Sequence, residues 1–183
     1  MIEAGATINA YDRDLITPLI FAVNSGNANI VKLLIKNGAK VNIADRLRCT
    51  PLHYACAHFH TNIARDIIIN GCISNSSFSN MFGGTPLKFL VYDKQYSTAK
   101  FLVESGCNLS NEKWILDGNG FSIGTKQDEE FIVWLRSYVK KPPKLISLCR
   151  KSIRLNLGGQ NMTEKVKKLN VPLFLKDYLM MKF

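Results

Sequence analysis

Proline is scarce in this chain, six in 183 residues, and no apolar run reaches the roughly 18 residues that a membrane-crossing helix needs. No segment is therefore read as spanning a bilayer. The opening "MIEAGATINAYDR" has no basic segment followed by a long apolar stretch, so no secretory signal is read there. Histidines number three, too few to suggest a catalytic centre, and "GNGFSIG" at 118–124 lacks the lysine and spacing of a nucleotide-binding loop. Cysteines are five (Cys49, Cys56, Cys72, Cys107 and Cys149), an odd and scattered set without a metal-type pair. They read as reduced thiols of a cytoplasmic or nuclear protein. No catalytic residue, cofactor or metal is expected. Acids are missing from the end: residues 136–183 hold 12 Lys/Arg against Glu164 and Asp177 alone, while residues 1–135 balance 12 against 12. The whole excess of +10 lies in that tail, and the charge break falls near Pro142-Pro143.

What the chain does have is a repeat. "GATINAYDRDLITPLIFA", "GAKVNIADRLRCTPLHYA", "GCISNSSFSNMFGGTPLKFL" and "GCNLS" share one phase, their first glycines 33, 33 and 35 residues apart. Thr17, Thr50 and Thr85 keep the same spacing. Thr-Pro is a helix start: the hydroxyl caps free amides, and proline in the first turn loses no hydrogen bond. A short helix and then a second one with apolar spacing follow, as in "NIVKLLIKNG", "NIARDIIING" and "STAKFLVESG". Gly38, Gly71 and Gly106 fall just past the second helices, where a left-handed backbone is needed. Each pair is too small to fold alone, and stacking makes a continuous core. The pattern predicts helix pairs near 18–36, 51–69 and 86–104.

A fourth unit is degenerate, since glycine-rich "GNGFSIG" stands where a Thr-Pro helix belongs. "TKQDEEFIVWLRSYV" restores its second helix near 127–139, with capping-box spacing from Thr125 to Asp128. Phe131, Leu135 and Tyr138 or Val139 are expected to face the array, and Trp134 to face whatever follows. Residues 1–9 read as the end of a further repeat, because "MIEAGATIN" matches "LIKNGAKVN"; the expectation is a shortened form of a longer array.

"TPLHYA" at 50–55, with "TPLIFA" at 17–22, resembles the ankyrin-repeat family. The resemblance covers residues 1–141 and implies an all-α solenoid in which His53 braces its own repeat. The third copy, "TPLKFL", departs with Lys88 and Leu90, which predicts looser or altered packing. Variable turns on a rigid stack can meet a partner without disturbing the core, so contacts are expected at the tips before each Thr-Pro. The candidate substrate-binding residues are Tyr11, Arg13, Arg46, Arg48, Phe78, Met81 and Phe82, with Asp12 and Asp45 beside them.

In the tail, residues 142–183, three segments follow: "PKLISLCRKSIRLNLGG", "NMTEKVKKLN" and "PLFLKDYLMMKF". Leu145, Cys149 and Ile153 lie four apart on one helical stripe, and Leu148 and Leu155 on another. One face should pack internally and the other meet a partner. The segments resemble the SOCS box, and its place after ankyrin repeats resembles the ankyrin-repeat-and-SOCS-box family. That resemblance implies a three-helix module in which Leu145, Leu148, Cys149 and Ile153 bind elongin C, with elongin B as its companion. It also implies that "LNVP" (Leu169 to Pro172), together with Leu173, selects a cullin. Asn170 replaces a proline of the cullin motif and Lys144 a capping residue of the elongin motif. The family resemblance implies cullin-5 rather than cullin-2, with its RING subunit.

The function implied is that of a non-catalytic substrate-recognition subunit of a ubiquitin ligase, with an unknown protein as target. The alternative is an ankyrin adaptor or inhibitor whose C-terminal helices only cap the array. Neither specific nucleic-acid binding nor membrane binding is expected, since the basic residues alternate with leucine stripes and build no reader of bases.

Overall fold

The computed structural model describes residues 7–72, 84–107, 109, 112–117, 124–140, 153, 162–172, 176, 179 and 180. Three helix pairs stack in sequence order. They are α1 (Pro18–Asn24) with α2 (Ala28–Lys36), α3 (Pro51–Ala57) with α4 (Thr61–Ile69), and α5 (Pro86–Tyr92) with α6 (Tyr96–Glu104). A single turn, α7 (Trp114–Asp117), and a long α8 (Lys126–Lys140) extend the stack, and α9 (Met162–Lys168) belongs to the tail. Among the described residues every regular element is a helix.

Each first helix opens on its threonine. Thr17 Oγ1 accepts from the Ile20 amide at 3.2 Å and Thr85 Oγ1 from the Lys88 amide at 3.1 Å. In the middle repeat His53 takes over. Its Nδ1 accepts from the Thr50 amide at 3.2 Å and faces Thr50 Oγ1 at 2.8 Å, which leaves the ring proton for Nε2. Burial pushes the His53 pKa down to about 4, against a smaller upward pull from Asp45. The imidazole is a neutral brace, as the family resemblance implies.

Gly38, Gly71 and Gly106 have φ of +91°, +91° and +94°, the left-handed exits read from the sequence. The turn inside each pair needs the same region, yet only the first uses glycine: Gly26 is followed in register by Phe59 at +60° and Lys94 at +56°. A Cβ on Gly26 would come within 2.8 Å of the His60 ring, so glycine there lets the second repeat close on the first. Asn9 and Asn42 tie neighbouring units, donating to the carbonyls of Gly38 and Gly71 at 3.2 Å each.

The core runs unbroken from Leu19 through Leu52, Ile67 and Leu87 to Leu102, Ile115 and Leu135. Leu90 is buried like its counterparts Ala22 and Ala55, so the third repeat is altered rather than loosened. Asp128 closes the far end. Its Oδ2 accepts from the amides of Gly124 and Thr125 at 2.9 Å each and from Lys94 Nζ at 3.3 Å, and its Oδ1 accepts from the Tyr96 hydroxyl. The Thr125–Asp128 box is completed by the Asp128 amide on Thr125 Oγ1 at 3.2 Å. The Tyr96 hydroxyl, then the backbone, hold this carboxyl well below the usual range.

Phe131 stacks on Tyr96 with ring centres 4.5 Å apart, and Leu135 is buried, as expected. Trp134 corrects the sequence reading. It packs on the array core beside Phe131, 5.7 Å between ring centres, with Lys100 Nζ of α6 over its ring at 5.3 Å. An ammonium over an indole face is favourable, and α6 supplies one here.

Candidate functional site

Two surfaces can meet other proteins: the rim of turns before the Thr-Pro helices, and the tail. On the rim, Asp12 Oδ1 accepts from the amides of Asp14 at 2.9 Å and Ile16 at 2.8 Å, folding residues 12–16 into a tight turn. In the next repeat Asp45 Oδ1 accepts from the Cys49 amide at 2.8 Å, and its Oδ2 from the Tyr54 hydroxyl at 2.6 Å. Burial, with this carboxylate next, drives the Tyr54 phenol pKa upward, so the phenol stays a donor. The Arg46 amide donates to the Asp14 carbonyl at 2.9 Å and joins the two turns into one edge. Leu15 and Arg48 hold equivalent left-handed positions, φ +60° and +61°.

Acids and arginines share this edge, since Asp12 and Asp14 are exposed on it as well. Asp45 is buried and belongs to the fold, which removes it from the candidate contacts, and Asp12 is committed to its turn. Arg13, Arg46 and Arg48 stay exposed, and Tyr11 is 66% exposed beside them. Exposed arginine forks can grip carboxylates in pairs of hydrogen bonds. Leu47, which the sequence reading passed over, is also exposed at this edge. Its signal was available: an apolar residue at a turn tip flanked by two arginines. Phe78, Met81 and Phe82 lie outside the described residues.

In the tail, Val166 of α9, Leu179 and Met180 form a second buried cluster, separate from the array core. Ile153, Leu169 and, from α4, Ile69 pack against it. The Pro172 carbonyl accepts from the Lys176 amide at 3.2 Å, and the Lys176 carbonyl from the Met180 amide at 2.9 Å. Lys176 Nζ then reaches back to the Lys167 carbonyl at 2.8 Å, pinning the end of α9. Of the residues read as elongin-binding, Leu145, Leu148 and Cys149 lie outside the described residues, while Ile153 is half-buried on the tail's own cluster. Of those read as cullin-binding, Leu169 and Val171 are half-buried, Pro172 is exposed, and Leu173 lies outside the described residues.

A stacked helical solenoid with an exposed rim, followed by a small tail with its own cluster, defines a class: proteins that bind other proteins through one part and are tethered through another. The chain matches the family of ankyrin repeats (3 copies) over residues 1–77 and 19–113, and the SOCS box over 141–180. No curated protein matches it. The chain belongs to the ankyrin-repeat family and carries a SOCS box, the combination diagnostic of the substrate receptors of elongin/cullin ubiquitin ligases. Such receptors are non-catalytic adaptors, and the SOCS box is the part that joins the elongin C and cullin-RING assembly. Among the described residues no three His, Cys, Asp or Glu side chains gather as a metal site. His53 is hydrogen-bonded to Thr50, and the His60 ring lies beside His58, 6.1 Å between ring centres.

Proposed function

We propose that this chain holds a target protein along the Tyr11, Arg13, Arg46 and Arg48 rim and brings it to a ligase built on elongin C, elongin B, cullin-5 and a RING subunit. The array recognises; the tail recruits. Transfer of ubiquitin falls to the conjugating enzyme at the RING subunit, in the cytoplasm or nucleus. The observation that carries the reading is the match of a SOCS box directly after an ankyrin array. Exposed arginines beside an exposed tyrosine favour a target segment that offers carboxylates next to an apolar side chain. Leu145, Leu148 and Cys149 present the elongin stripe, with Ile153 anchoring its end to the tail cluster. Leu169, Val171, Pro172 and Leu173 are the cullin-selecting stretch.

The alternative, a tail that only caps the array, has less support. The tail cluster packs on Ile69 in α4, while Val133 on the outer face of α8 stays 68% exposed. Co-expression of the full chain, and of a chain ending at residue 141, with elongins B and C tests the reading. The full chain should hold both elongins through gel filtration and the shorter one neither; equal behaviour would leave the capping account. Binding of the loaded complex to the N-terminal domains of cullin-5 and cullin-2 then tests selection, and equal binding removes the cullin-5 assignment.

A further inference from the structure

The last residue of α4 is Ile69, and the repeat register gives its counterparts as Lys36, at the end of α2, and Glu104, at the end of α6. Two of these three equivalent positions carry a charge, which suits a helix end near solvent. The third carries a branched hydrocarbon, and that side chain packs with Val166, Leu179 and Met180 of the tail. α9 therefore meets the end of α4 with apolar surface toward Ile69.

The same cluster takes Ile153, which belongs to the segment bearing Leu145, Leu148 and Cys149. Among the described residues, Ile69 is the array side chain that joins this cluster.

We infer that Ile69 is a positioning residue for recruitment: from the ankyrin side it packs on the cluster that also takes Ile153, a residue of the elongin-binding reading, and so ties the recruiting tail to the array. The inference rests on the elongin reading of the tail. It gives an ankyrin helix a role in recruitment, although Ile69 lies far outside the matched SOCS box at 141–180.

The test uses the full chain co-expressed with elongins B and C, comparing Ile69→Asp with Ile69→Val. A carboxylate under the cluster cannot be buried without a partner, whereas valine keeps the contact. In Ile69→Asp, amide exchange across α9 should speed up roughly tenfold or more, and elongin capture should fall by a similar factor. Exchange in α1 and α3 should stay as in the unaltered chain, and Ile69→Val should keep both properties. Should Ile69→Asp not fold, Ile69→Ala serves instead: it should loosen α9 and lower elongin capture in the same direction by a smaller factor. Unchanged α9 exchange in these variants, or full elongin capture despite a loosened α9, overturns the inference. If the unaltered chain captures no elongin, the underlying reading fails instead.

Discussion

The array and the tail are both helical, yet they solve stability in opposite ways. In the array each pair buries leucine and isoleucine against the pair before and the pair after, so the core runs from Leu19 to Leu135 without a gap. In the tail the described cluster has three buried side chains, Val166, Leu179 and Met180, and borrows Ile69 from the array. A fully buried leucine or isoleucine contributes about 1.5–3 kcal/mol relative to exposure. The long core can therefore offset its own ordering entropy, and the described tail cluster gains burial from an array side chain. This difference suits their tasks. A recognition surface must be rigid before its target arrives, while a recruiting segment can complete its packing in the assembly.

Mutation can sharpen the contrast. Leu52→Ala, in the middle of the array, should lower unfolding free energy by about 2–5 kcal/mol, read from urea titration of helical ellipticity. Val166→Ala should leave that array transition almost where it was and speed amide exchange only in α9. Equal losses for the two would mean that array and tail share one core.

The next effect is of pH. Folded His53 takes a proton only near pH 4, whereas an unperturbed imidazole does so near 6.5. Between those values the unfolded chain binds more protons, so stability is complete above pH 6.5 and drains as pH falls toward 4. The linkage amounts to something on the order of 3 kcal/mol. His53→Gln can still accept from the Thr50 amide and does not titrate, so it should flatten this slope. An unchanged difference between pH 7 and pH 4.5 would remove His53 as the cause.

The smallest effect belongs to the surface. Lys32 Nζ stands 3.8 Å from Asp66 Oδ2, linking α2 to α4 in the open. Lys32→Ala should cost no more than about 0.5 kcal/mol, fading with added salt. A larger loss would mean that helix stacking depends on surface charge.

How much of this was legible depends on distance along the chain. Thr-Pro starts, glycine exits and the Thr125–Asp128 box are local chemistry, and they stand where the sequence puts them. Asp128 also takes Tyr96 and Lys94, 32 and 34 residues earlier, and no spacing announces such a clasp. Asp45 reads as a rim contact until Tyr54 claims it. The turn α7 is four residues, too short for periodicity to register. Trp134 looked spare because Phe131 and Leu135 fill the apolar stripe; Lys100, on another helix, gives it a place. Ile69 reads as one more core isoleucine, and only the fold brings the tail to it.

The central claim, that the rim recognises and the tail recruits, predicts losses that separate cleanly. Proximity labelling in cells with the proteasome blocked can score captured proteins, their ubiquitylation and bound elongin together for three chains. The unaltered chain should give all three. Arg13, Arg46 and Arg48 changed together to alanine should lose the captured proteins and keep elongin. Leu145 and Cys149 changed together to alanine should keep the captured proteins while losing elongin and ubiquitylation. If the arginine variant captures and ubiquitylates the same proteins, or the Leu145/Cys149 variant still holds elongin, this division of labour is contradicted.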